Sequence, residues 1–164
     1  MSINVESLSI GQLENLIENH RRKHATDAPL YLDALRELEK RKGKGLDFDK
    51  SLSITLQAAK EERFLSYKQL ADASGADWGQ VRYAIGGHLW KLVEYSHLTH
   101  GILLSAIVVN QSNVATGTME PETLKGFIAA ARELDYPVTD ERAFLKAQQE
   151  RVFSWAQSLA PSDQ

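Results

Sequence analysis

The stretch Ser66-Tyr67-Lys68-Gln69-Leu70-Ala71-Asp72-Ala73-Ser74-Gly75-Ala76-Asp77-Trp78-Gly79-Gln80-Val81-Arg82-Tyr83-Ala84-Ile85-Gly86-Gly87-His88-Leu89 decides how this chain is read. Ser66 and Gln69 have capping-box spacing, opening a short helix that Gly75 closes, and Asp77 caps a second helix. A tight helix-turn-helix needs a small residue where the helices meet, a glycine able to take positive φ in the turn, and apolar residues at inward offsets. Counted from Tyr67, Ala71 is the small residue, Gly75 the turn, and Leu70, Val81 and Ala84 the inward positions. Together these signals predict a helix-turn-helix over 66–89. The apolar positions Val81, Ala84, Ile85 and Leu89 continue into Leu92 and Val93, so the second helix either runs through Gly86-Gly87 or kinks there.

Upstream, Ser9 and Gln12 repeat the capping-box spacing before Leu13, Leu16, Ile17 and His20, which predicts a first helix over about 10–23. Asp27 and Pro29 start a second, with Tyr31, Ala34, Leu35 and Leu38 as its apolar stripe up to Gly43. The two read as an antiparallel helical hairpin over 1–44, followed by a basic, glycine-punctuated linker at Lys42 to Gly45. Phe48, Leu52, Leu56 and Ala59 mark a third helix ending near Arg63.

Downstream, Ile102 to Val109 is apolar and increasingly β-branched, with turn formers after it and a short patch at Val114 and Ala115. This predicts a two-stranded ribbon. Glu120-Pro121 starts a helix with the stripe Leu124, Phe127, Ile128, Ala131 and Leu134, and Thr139 is the cap expected for a last helix carrying Phe144, Leu145, Val152, Phe153, Trp155 and Leu159. A ribbon directly after a helix-turn-helix is a winged-helix order. The expected fold is therefore mainly α with a small β-ribbon: an N-terminal hairpin, a winged helix-turn-helix domain with flanking helices over 45–160, and a frayed tail at 161–164.

Length and composition set outer bounds. The chain has 164 residues, 43 % hydrophobic and 25 % charged, the profile of a globular protein. It has no cysteine, so disulfides, thiolate nucleophiles and sulfur-based zinc sites are excluded. No basic-then-apolar leader and no membrane-length apolar run is readable, which makes the cytoplasm the expected compartment. Net charge is −3, against a protein that coats nucleic acid by bulk electrostatics. Residues 20–44 are nonetheless locally basic.

The motif resembles a known family. Ser66 to Ala71, Gly75, Ala84-Ile85-Gly86-Gly87 and the run Ile102 to Val109 are similar to the C-terminal domain of O6-alkylguanine-DNA alkyltransferases and their alkyltransferase-like relatives, with Leu124, Lys125 and Phe127 where that family has its next helix. The resemblance covers about 66–134. It implies that Tyr67 lies against the DNA backbone. The family has an arginine three residues before the glycine pair that enters the base stack as the target flips out. Here that place holds Tyr83, with Arg82 beside it, and the turn is about two residues longer. An aromatic side chain can also wedge between bases. The family's Pro-Cys-His-Arg site follows the apolar strand, and this chain reads Leu104-Ser105-Ala106-Ile107-Val108-Val109-Asn110 instead. Alkyl transfer without a thiol is impossible, so such a relative binds without reacting.

The expected function is that of a non-catalytic DNA-binding regulator or accessory subunit, with Tyr67, Trp78, Gln80, Arg82, Tyr83 and Lys91 at the DNA and Arg21, Arg22, Lys23, Lys42 and Lys44 as phosphate contacts. Each has a bland counterpart: surface polar groups, a packed Trp78, a solvated hairpin face. Residues 60–100 hold five basic and five acidic side chains, so the motif lacks a strong electrostatic footprint. The alternative is an adaptor that keeps a winged-helix scaffold and holds a protein partner through the N-terminal hairpin and the acidic C-terminal part, and the hairpin is also a candidate homodimer surface. His88, His97 and His100, spaced nine and three apart, do not fall on one rigid face, and no metal or cofactor is expected. Ser105 and the histidines assemble no nucleophile triad.

Overall fold

The computed structural model describes residues 3–25, 28–42 and 45–159. Asp27, Gly43, Lys44, the side chain of Lys42 and the tail at 161–164 lie outside the described residues.

A 3-10 turn at Val5–Ser7 leads into α1 (Ile10–Arg22), where Ser9 and Gln12 form the expected capping box. α1 packs on α2 (Pro29–Lys42), and Leu13, Ile17, Tyr31, Ala34, Leu35 and Leu38 bury their faces against each other. Arg41 ties the N-terminal turn down, donating to the carbonyl of Leu8 at 2.5 Å and of Glu6 at 3.0 Å. α3 (Phe48–Lys60) starts at an Asp47 cap and ends before Arg63, where Glu62 takes a left-handed φ of 54°.

The helix-turn-helix follows as α4 (Tyr67–Ala73), a turn at Gly75 with φ 74°, and α5 (Trp78–Val81). Leu70, Ala71 and Val81 are fully buried, as their spacing requires. The second helix neither runs through the glycine pair nor kinks at it. It stops after one turn at Val81, Arg82 to Ala84 form a corner, and α6 (Ile85–His100) begins just before Gly86-Gly87. α7 (Pro121–Glu133) starts with proline at its first position, and α8 (Glu141–Gln157) is capped by Asp140 rather than by Thr139.

The expected ribbon forms differently. Leu104–Ile107 is a 3-10 turn, and only Val108–Val109 is strand (β2). Its partner is β1 (Leu65–Ser66), paired in parallel with Leu65 opposite Val108 and Ser66 opposite Val109, so Val114 and Ala115 belong to no strand. The cause is burial. All eight residues from Ile102 to Val109 are buried, and a run with no polar face cannot serve as a wing strand open to water on one side. It threads the core instead, with α4 to α6 as the crossover that a parallel pair needs. Ser96 Oγ holds the bend after α6, lying 2.9 Å from the Ile102 carbonyl and accepting from the Leu104 N–H at 3.3 Å. Gln149 of α8 donates to the carbonyls of Ala106 at 3.0 Å and Gly117 at 2.8 Å.

The molecule is thus mainly helical with a two-stranded parallel sheet, built on two apolar clusters. The larger joins α3 to α8; the smaller belongs to the hairpin and reaches the rest through Phe48 and Leu92. No helix among the described residues is long and apolar enough to cross a membrane.

Candidate nucleic-acid interface

The corner between α5 and α6 exists because Asp77 caps a helix too short to continue. Its side chain accepts from the Gly79 N–H at 3.3 Å, and Val81 is drawn fully into the core, which swings Arg82 and Tyr83 outward. Tyr83 is 84 % exposed, the most exposed large apolar side chain among the described residues. The Arg82 guanidinium sits 4.8 Å from its ring centroid, a cation–π contact that orders both side chains. Immediately beyond, α6 begins at Ala84 without a side-chain cap or an acidic residue in its first turn, and Gly86 and Gly87 leave open space where a side chain would stand. The first N–H groups of that helix carry the positive end of its dipole.

Behind the corner lies an open cleft of about 620 Å³, walled by α4 to α7. Tyr67, Trp78, Tyr83, Trp90 and Phe127 give it an aromatic lining, and Ser105, Glu122 and Thr123 supply its polar groups. No described residue of the N-terminal hairpin lines it. Burial raises the Tyr67 phenol above its ordinary pKa, against a hydrogen bond with Thr123 that lowers it. Tyr67 is therefore a neutral, half-buried wall of the cleft.

Five of the residues expected at DNA converge here. Tyr67, Trp78, Arg82 and Tyr83 line the cleft, and Gln80 is exposed on α5 beside them. Trp78 is half-buried and packs on the larger core as well, so the packing and binding readings meet in one side chain. Lys91 does not join them. It points to the other side of α6, where its Nζ lies 2.6 Å from Glu39 Oε2. The hairpin cations are also largely engaged. Arg21 Nη2 is 2.5 Å from Glu94 Oε1, and Arg22 donates to Asn19 at 2.5 Å; Lys23 alone among Arg21, Arg22 and Lys23 is exposed with no such pairing. Arg21 and Lys91 are thus placed as structural pairs, because a cation half-buried beside a carboxylate is held there by the low local dielectric.

The three histidines do not share a site: the helix period sets His88 opposite His97, and His97 and His100, one turn apart, take different partners. His88 is buried against Glu39 and Ser51, His97 Nδ1 lies 2.8 Å from the Tyr136 hydroxyl, and the His100 ring packs 5.0 Å from Trp155. Burial lowers the pKa of both His97 and His100, with Arg151 adding to the effect at His97. No group of three or more metal-ligating side chains occurs among the described residues. Sequence reasoning missed the cleft residues Trp90, Thr123 and Phe127. Gly86 and Trp90 are one turn apart on α6, which could have marked the face, but the opposite wall comes from α7, about 35 residues further on.

Compared with known proteins, the chain matches no family model, no curated protein and no solved structure.

Proposed function

We propose that this chain is a non-catalytic DNA-binding protein, a regulator or accessory subunit that presents its helix-turn-helix corner to a duplex. The observation that carries this reading is Tyr83, held at 84 % exposure on the corner between α5 and α6, with Arg82 over its ring and an aromatic cleft behind it. A large ring kept in water at a helix corner has no packing role. It has the shape of a wedge for a base step, and the neighbouring arginine and open helix start are placed to meet phosphates. The resemblance to alkyltransferase-like proteins supports the same face: Tyr83 stands in the arginine's place, and the aromatic cleft is where an unstacked base would lodge. The segment 102–109 holds the position of a wing in the chain order, with its strand turned back onto β1.

The test is fluorescence anisotropy with duplexes that are fully paired or carry one mismatch, at two salt concentrations. Tyr83→Ala is expected to weaken binding about 5- to 150-fold, the ~1–3 kcal/mol of one base–aromatic stack, and more on the mismatched duplex. Arg82→Ala is expected to lower the salt slope by about 1. Absence of salt-sensitive binding to either duplex overturns the reading.

A second reading has its own support. Arg21, Arg36 and Arg41 are each paired with a carboxylate of the same molecule, which leaves fewer unpaired cations for phosphates. An exposed Tyr–Arg pair is also a common protein-binding hot spot, and an adaptor using this corner predicts partner capture that survives charge removal at Arg82.

A further inference from the structure

The hairpin α1–α2 meets the rest of the molecule across a junction unlike any other in the fold. Its apolar cluster crosses over through the buried Phe48 and Leu92, with Leu52, Leu89 and Tyr95 packed at the edge. Beside them a polar chain is buried. Glu39 of α2, 1 % exposed, accepts from His88 Nδ1 on one carboxylate oxygen and from Lys91 Nζ at 2.6 Å on the other. His88 Nε2 lies 2.7 Å from Ser51 Oγ of α3. One hydrogen-bonded path therefore runs from α2 through α6 to α3. Its order of serine, histidine and carboxylate is that of a nucleophile triad, but Ser51 is 0 % exposed and no substrate atom can reach it. The arrangement binds helices together.

We propose that the N-terminal hairpin is a lobe that opens and closes as a unit on the helix-turn-helix core, with the Glu39–His88–Lys91–Ser51 chain as its latch. Apolar contact is non-directional and survives small slips, whereas this chain is satisfied at one register only; any slip leaves a buried carboxylate facing unpaired donors. Docking is therefore all-or-none. The other polar braces do not substitute for it: Arg36 reaches Asp49 of α3 at 2.7 Å, but both side chains are about half exposed and such a pair contributes little. Arg21 Nη2 reaches Glu94 at 2.5 Å, but Arg21 Nε and the Tyr31 hydroxyl are buried without a well-formed hydrogen bond. The latch also reaches the cleft. On an ideal helix His88, Lys91, Leu92 and Tyr95 share one face of α6, and Gly86, Leu89, Trp90 and Val93, which line the cleft, share the opposite one. Opening the lobe strips the first face of its cover and frees the helix that carries the cleft wall.

Amide hydrogen exchange on the full chain tests this with no nucleic acid present, so its outcome is separate from that of the DNA-binding proposal. In the wild type, α1 and α2 amides are expected to exchange through an opening at least tenfold more frequent than that of α4 and α7. Glu39→Gln is expected to raise hairpin opening at least thirtyfold further and to leave α4 and α7 within threefold of wild type. Hairpin and core amides that share one opening rate in the wild type overturn the proposal, whether or not the variant folds. So does a Glu39→Gln protein whose hairpin and core exchange speed up together.

Discussion

The two junctions on α6 differ in what accompanies apolar packing: no ion pair among the described residues on one side, a buried polar chain on the other. Toward the helix-turn-helix core, α6 packs through Ile85 and Val93 into a cluster that also takes in Leu70, Val81, Leu104 and Ile107, all apolar. Toward the hairpin it offers Leu92 and Tyr95 to an apolar cluster and adds His88, Lys91 and Glu94, answered by Glu39 and Arg21. The first junction gains from every square ångström removed from water and tolerates imperfect register. The polar chain at the second contributes little unless every partner is in place, and it costs heavily when one is missing. A single helix thus serves as the centre of a core on one side and as a docking strip on the other.

The largest break in this contrast comes from the apolar side. Leu104 is 1 % exposed in the middle of the buried run, and Leu104→Ala is expected to cost about 4 kcal/mol of global stability, read by urea unfolding as one cooperative loss. Glu39→Gln removes one partner of the buried chain and is expected to cost about 3 kcal/mol, with the loss confined to the hairpin in amide exchange. Replacing the chain by Glu39→Met, His88→Leu and Lys91→Met together is expected to recover that loss, since apolar packing of similar volume commonly equals a buried ion pair.

Acid sharpens the comparison further. Burial pushes the Glu39 carboxyl up, but the hydrogen bonds from His88 and Lys91 outweigh it and hold the group below the ordinary carboxylate range. A carboxylate with a lowered folded pKa contributes stability that is fully present above its unfolded value and is lost as pH falls through the folded one. Glu94 runs the other way: burial raises it, Arg21 lowers it, and Glu18 and Glu133 raise it again. Acid therefore does not weaken the fold through Glu94. The hairpin's amides are expected to lose protection below about pH 4, before those of α4 and α7, and the acid limb is expected to flatten in the triple apolar variant. Smaller effects come from single local groups. Ser66→Ala removes the cap of α4, whose hydroxyl accepts from the Gln69 N–H at 3.1 Å, and is expected to cost about 1 kcal/mol by thermal unfolding. Tyr83→Ala is expected to change stability by less than about 0.5 kcal/mol, which separates its binding role from any structural one.

Local chemistry was enough to place most of the elements. Capping boxes at Ser9/Gln12 and Ser66/Gln69, Pro121 at a helix start and Gly75 with φ 74° all act within a few residues, so α1, α4, α7 and the motif turn could be read from the chain alone. The corner at Arg82 to Ala84 could not. Helical periodicity continues through it, and only the pull of Val81 and Ile85 into the core breaks the helix there. The run at 102–109 was legible as apolar, but apolar character alone does not choose between a wing strand and a buried thread; α3, α6 and α8 packing on three sides made that choice. Candidate site residues followed the same division. Tyr67, Trp78, Gln80, Arg82 and Tyr83 lie within 17 residues of one another and keep their neighbourhood in the fold. Lys91 and Arg21 pair away from the cleft with Glu39 and Glu94, 52 and 73 residues distant, and pairing across such distances is decided by packing. The sequence by itself determined where helices start, where the chain turns and that no thiol chemistry is possible, since these depend on neighbouring residues or on composition. Tertiary structure alone decided the parallel strand pair, the aromatic cleft and the buried Glu39–His88–Lys91–Ser51 chain, because each joins segments that have no contact until the core has closed.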